Sequence, residues 1–337
     1  MKTLQARVWT FPLFFLVAAG CAEGGSADDV VVSEGAPNMF PQGTPLDVSP
    51  PALGTRMREH AILPPSVSRP MFVAARLRGR PSYDLYTMWD DGSGLRHLTN
   101  TPNVDELVPS VSPDGHHLAY VRGGRLWVMN TDGTWPHQVA DDVSMDPPTP
   151  AAWSPTGEWL AYASAEEDGG ARLRKVRWDG SGDASLPVMQ SEPGLRLSEP
   201  VWAPDGDIAC FGASTLADAR PIGGLFTTST RAPWRDQLVG RRAHGLDIAR
   251  REGRWVFTAT DDATPAGYTA YGALIVAFGT APTDGWVVRG GGARAPRWSP
   301  DGSEIAYVGR EGVFVMSADG ARERGVLAST DVSGFDW

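Results

Sequence analysis

An all-β chain built from repeated four-stranded antiparallel units is what this sequence predicts, on three observations. One turn recurs five times: Ser112-Pro113-Asp114-Gly115, Ser154-Pro155-Thr156-Gly157, Ala203-Pro204-Asp205-Gly206, a decayed Arg250-Arg251-Glu252-Gly253, and Ser299-Pro300-Asp301-Gly302. Its glycines stand 42, 49, 47 and 49 residues apart, the period of a β-propeller blade and not of a helical solenoid. Trp153, Trp202 and Trp298 each come immediately before a turn, marking the end of an inner strand. From Met71 onward, short β-branched and aromatic runs alternate with Gly, Asp and Pro, and no stretch has a helical period.

The elements follow in order from the best-formed unit, Leu107 to Val139. An approach strand ends at Val111, the turn follows, His117 to Arg122 makes a second strand, Leu126 to Asn130 a third, and Asp132-Gly133 turns into a fourth. In the repeated turn, proline presets φ, aspartate bonds nearby backbone N–H groups, and glycine accepts the left-handed conformation. The Asp-Gly turn recurs at Asp91-Gly92, Asp132-Gly133, Asp179-Gly180 and Asp319-Gly320. Second strands start at Met71, His117, Trp159, Asp207, Arg254 and Glu304, which makes six blades. Gly334-Phe335-Asp336-Trp337 reads as one more approach strand; given to the first blade, it closes the ring and removes exposed edges. The tryptophans are expected to pack between adjacent blades, and Cys210, in an apolar strand, to be a small core residue.

Three regions result: a signal peptide over 1–20, a tether over 21–68, and the propeller over 69–337. Lys2 and Arg7 precede an apolar run, Val8 to Ala19, that is too short for an ordinary membrane span. Val17-Ala18-Ala19-Gly20-Cys21 resembles the bacterial lipobox, which implies lipidation of Cys21; cleavage at an ordinary signal-peptidase site is the alternative. With Cys21 acylated, only Cys210 is left and no intramolecular disulfide forms. The Pro- and Gly-rich tether has an expected end-to-end distance of about 40 Å, enough to hold a globular head clear of a membrane. The expected location is the cell envelope, anchored to the outer membrane, with the propeller in the periplasm or at the cell surface.

Pro-x-Trp-Ser-Pro-Asp-Gly followed by Ile-Ala-Tyr, as in Pro296 to Tyr307, resembles the WD40-like repeat of TolB-type propellers. The likeness covers the chain from Met71 to its end. It implies a six-bladed propeller closed by strands from both ends, acting as a binding scaffold. TolB itself carries an N-terminal α/β domain where this chain has a tether, so the resemblance is to the propeller, and the Pal partner is not carried over.

Net charge is −10, with no concentrated basic face, which argues against a nucleic-acid partner. The expected partner is a protein or glycan of the cell envelope, bound by a monomer. Longer connections should gather on the face opposite the repeated turns. There Glu106, Asp146, Glu199, His244 and Arg294, each just ahead of an inner strand, are the candidate channel-mouth binding residues. Several of these connections are acidic, so a cation could sit among them, yet no metal motif or cofactor loop occurs and no cofactor is expected. His116-His117 places neighbouring side chains on opposite sides of a strand, a poor metal pair. No catalytic constellation is legible, and no Gly-x-Ser-x-Gly is present. A non-enzymatic scaffold is therefore the expectation, with a metal-dependent carbohydrate lyase or hydrolase as the alternative.

Overall fold

The computed structural model describes residues 68–337 apart from 146, 168, 187–194, 205, 215–222, 228–241, 250–252, 261–271, 279–283 and 330. Cys21, the tether and Asp146 lie outside the described residues, as does the side chain of His244. Among the described residues every regular element is a strand. The chain begins with β1 (Pro70–Ala75), β2 (Asp84–Trp89) and β3 (Arg96–His97). Next come β4 (Glu106–Val111), β5 (His117–Arg122), β6 (Arg125–Asn130) and β7 (His137–Ala140), which make a sheet of their own in sequence order. β8 (Ala152–Trp153), β9 (Trp159–Ala165), β10 (Ala171–Arg177) and β11 (Ala184–Ser185) form the next group. A single parallel pair, Ala171 with Arg196, joins it to β12 (Leu195–Trp202), β13 (Ile208–Ser214) and β14 (Gly223–Thr227).

The remaining strands are β15 (Arg242–Ile248), β16 (Trp255–Thr260), β17 (Gly272–Phe278), β18 (Asp284–Trp298), β19 (Glu304–Gly309), β20 (Gly312–Ser317), β21 (Glu323–Ala328) and β22 (Val332–Asp336). β15 to β21 pair in order as one sheet, because the 15-residue β18 pairs with β17 through its first part and with β19 through its second. The sequence suggests a connection over Gly290 to Arg294. Instead the strand runs through, with register shifts on both sides and Gly292 at φ 73° carrying the chain from one pairing to the next. β22 pairs antiparallel with β1, Val73 opposite Phe335, so the first sheet runs β22-β1-β2-β3.

Second strands begin within one residue of the expected positions, and they are largely apolar because both faces are covered. In β5, Leu118 and Tyr120 pack with Phe72, Ala74 and Leu85 of the first sheet. The intervening Ala119 and Val121 pack with Trp153, Leu160 and Tyr162 on the other side. β13 repeats the pattern, with Ile208 and Cys210 turned to Leu173 and Leu197, and Ala209 and Phe211 to Leu246 and Phe257. In β19, Ile305 and Tyr307 face Val256 and Leu274, while Ala306 and Val308 join the cluster of Met71, Val73 and Phe335. Each large side chain so covered contributes about 1.5–3 kcal/mol. Burial lifts the Cys210 thiol to about 12, as befits a core residue.

The repeated turn has the predicted chemistry. Ser112 Oγ donates to Asp114 Oδ1 at 2.5 Å, the His116 amide donates to the same oxygen at 3.0 Å, and the His117 amide donates to Ser112 Oγ at 2.9 Å. Ser299 and Asp301 repeat this set with the amides of Ser303 and Glu304.

Candidate binding surface

The first strands of successive groups touch in the order β22, β4, β8, β12, β15, β18 and back to β22. Each junction carries a hydrogen bond between a side chain and the neighbouring backbone. Indole Nε1 groups make three of them: Trp153 to Ser110 O at 2.9 Å, Trp202 to Ala152 O at 3.0 Å, and Trp337 to Trp298 O at 2.7 Å. Carboxylates make the others, Glu199 accepting from Leu246 N at 3.0 Å, Asp247 from Trp298 N at 2.7 Å, and Asp336 from Val111 N at 2.8 Å. Such bonds contribute about 1 kcal/mol each, more where one partner is charged. Trp298 departs from its sisters: its Nε1 has no hydrogen-bond partner, and the Arg254 guanidinium lies 4.5 Å from its ring centre.

Inner strands also share a bulge. Register shifts at Leu107/Ser110, Ser198/Val201, His244/Asp247 and Arg294/Arg297, and a left-handed residue sits inside each: Val108 (φ 44°), Glu199 (53°), Gly245 (66°) and Ala295 (48°). The extra residue re-aims the strand. Beyond it, each inner strand helps line a central cavity of about 330 Å³, through Ser110, Ala152, Val201, Asp247, Arg297 and Asp336 and the residue that follows each of them. Pro113, Pro155, Pro204 and Pro300 of the repeated turns also line it, so the cavity belongs to the turn side.

Its charged groups are used in joining strands. Arg297 Nη1 donates to Leu246 O at 3.1 Å and to Pro296 O at 3.0 Å. Burial pushes the Asp247 carboxyl up to about 6, with Arg297 opposing that rise and the Asp336 carboxylate adding to it. Trp89 and Leu95, each 44% exposed, and Trp135, 61% exposed, belong to the hairpins of the third and fourth strands on this same side.

Of the residues singled out by sequence, Glu106, Glu199 and Arg294 do not line this cavity. Glu106 is fully buried, accepting from Thr99 Oγ1 at 3.1 Å with Arg122 Nε 3.8 Å away, and burial raises its carboxyl. Glu199 is buried at the β12–β15 junction and, chiefly through desolvation, lifted to about 7. Arg294 is buried and donates to Val332 O of the C-terminal strand. The structure thus keeps these three apart, each inside the body. Asp247, Arg297 and Asp336 were not singled out. Their signal was a charged residue immediately before Ile248, Trp298 and Trp337 at the ends of three inner strands, a position legible only once the bulge is known.

This ordered, repeated packing defines a class of protein, the β-propeller, and comparison with known structures agrees. TolB from Acinetobacter baumannii superposes with a TM-score of 0.62 at 14% identity, over 79% of this chain and 66% of that one. A chain of a nidogen/laminin complex does so with 0.58 at 12% identity, over 80% of this chain and 97% of that one. At such identities the likeness is one of fold. No family model matches the sequence. Among curated proteins, an uncharacterized peptidase, YuxL of Bacillus subtilis (strain 168), is 26% identical over 129 residues, 34% of this chain. The chain spans only 18% of that protein's length.

Proposed function

We propose that this chain is a lipid-anchored cell-envelope protein whose six-bladed, closed propeller serves as a non-enzymatic scaffold for an envelope protein. The observation that carries the reading is the use of the central charges. Asp247, Arg297 and Asp336, the ionisable groups of the cavity wall, are tied to neighbouring strands, as is Glu199 nearby. Such groups hold a shape. A shaped, proline-collared opening flanked by exposed indoles suits recognition, because aromatic anchors and shape complementarity dominate protein interfaces. The nidogen/laminin structure offers a precedent for a propeller in a protein complex. Closure is supported by the β1–β22 pairing and the unbroken circuit of first-strand contacts. In this reading Glu106, Glu199 and Arg294 are internal supports, and Asp146 and His244 are kept as positional candidates for the opposite mouth.

The test uses the tagged full chain expressed in its host. Membrane fractionation should find it with the membranes, and Cys21→Ser should release it. Crosslinking and capture from envelope extracts should recover one dominant envelope protein. Recovery of no partner, together with turnover of an envelope glycan by the purified chain, would replace the scaffold with an enzyme.

A further inference from the structure

Three of the four Asp-Gly turns between third and fourth strands share a plan from which one of them departs at its last residue; the fourth, Asp319-Gly320-Ala321-Arg322, keeps the aspartate bond, the Ala321 amide donating to Asp319 Oδ1 at 3.0 Å, but Arg322 is not left-handed. In Asp91-Gly92-Ser93-Gly94, Asp132-Gly133-Thr134-Trp135 and Asp179-Gly180-Ser181-Gly182, the aspartate Oδ1 accepts the amide two residues on, at 2.8, 2.8 and 2.9 Å. Each turn ends on a left-handed residue, with φ 69° at Gly94, 58° at Trp135 and 69° at Gly182. At the two glycines an indole outside the four turn residues covers the turn: an added Cβ would stand 2.8 Å from the Trp89 ring at Gly94 and 3.1 Å from the Trp159 ring at Gly182. The middle turn instead has a tryptophan in glycine's place. For a bulky residue that conformation costs roughly 1–3 kcal/mol. The indole is nevertheless 61% exposed, more than any other large apolar side chain among the described residues.

Trp135 is rigidly backed. His137 lies 4.9 Å from its ring and Trp178 lies 6.1 Å away at 64°. His137 Nε2, 2.9 Å from the Trp178 carbonyl oxygen, ties the two hairpins together. The rings continue inward, Trp178 to His117 at 4.8 Å and His117 to Trp153 at 6.3 Å, ending at the cavity wall. Exposed Asp132 and Asp179 occupy the two adjoining turns. Hydrogen bonds within those turns, from Thr134 and Ser181, hold both carboxyls below the usual range, so they accept.

A flat apolar face with carboxylate acceptors in the adjoining turns matches a ligand with one apolar face and a rim of hydroxyl donors. A saccharide ring has that form. A cation cage needs several ring faces around one point, whereas here the rings pack on one another. We propose that Trp135, backed by Trp178 and His137, is a stacking platform for a neutral hexose-based glycan whose hydroxyls are bonded by Asp132 and Asp179. This goes beyond the protein-scaffold reading and does not rest on it.

The experiment titrates the full chain with cellohexaose, maltohexaose and chitohexaose by calorimetry, beside Trp135→Gly and Trp135→Phe, and records the melting temperature of each. At least one probe should bind. Trp135→Gly should weaken it tenfold or more, with a melting temperature unchanged or raised because Gly94 and Gly182 hold the same left-handed position in two sister turns, and Trp135→Phe should keep affinity within a few-fold. Binding by none of the probes, binding that survives Trp135→Gly, or a loss of binding accompanied by a melting temperature several degrees lower would each overturn the platform. If the sugars fail but the captured envelope protein is released by Trp135→Gly, the platform is a protein contact and the glycan proposal falls. If capture survives, the glycan proposal falls and the scaffold reading stands.

Discussion

Glu199 illustrates how a single residue in this molecule trades charge for architecture. It sits left-handed before Pro200, buries its carboxylate, and accepts the Leu246 amide from the next inner strand. Desolvation lifts its folded pKa from 4.5 to about 7. A carboxyl raised in this way binds its proton more tightly when folded. Its contribution is therefore most favourable below pH 4.5, declines as the pH rises to about 7, and is gone above that. Glu199→Gln keeps an accepting oxygen and removes the charge. Urea denaturation should accordingly show the variant gaining on the wild type between pH 5 and pH 8, by up to about 3 kcal/mol. A difference independent of pH would show that the carboxyl is not held in a dry junction. Chain position alone made Glu199 legible as special, because it stands just ahead of an inner strand. Its burial was not legible, since the bulge that turns it inward arises from pairing with β13.

At the scale of elements, the recurring unit is an inner strand fastened to the next by one side chain. Tryptophan does this where it can: Trp153, Trp202 and Trp337 each reach a carbonyl on the neighbouring strand. Trp337→Phe preserves most of the buried ring and deletes the N–H, leaving Trp298 O without that donor. It should lower unfolding free energy by about 1–2 kcal/mol, read from the denaturation midpoint at constant slope. No measurable change would mean that the indole packs without holding the strand. The strands themselves were readable because both faces are buried, producing runs such as Leu118 to Val121 that are apolar at every position. The long β18 was not, because Gly290-Gly291-Gly292 reads as a loop while register shifts absorb it within a strand.

For the whole molecule, the proposed function meets the fold at the turn side. The uniform Ser-Pro-Asp-Gly turns suggest scaffold: Ser112 and Asp114 bond to each other and to the amides of His117 and His116, while in the Ser299 turn Asp301 also pairs outward with Arg69. Their prolines nevertheless collar the cavity, and the exposed indoles stand on the same side. The architecture depends on the C-terminal strand, whose Phe335 and Trp337 are buried in the largest core cluster and whose Asp336 accepts the Val111 amide. Removing Ser333 to Trp337 from the full chain takes away two large buried aromatics and several hydrogen bonds. That loss is on the order of 5 kcal/mol or more, comparable to the entire stability of an ordinary domain. Thermal unfolding of this truncated chain should therefore show no cooperative transition, or one at a far lower temperature than the intact chain. A melting curve unchanged by the truncation would contradict the closed ring on which the scaffold depends.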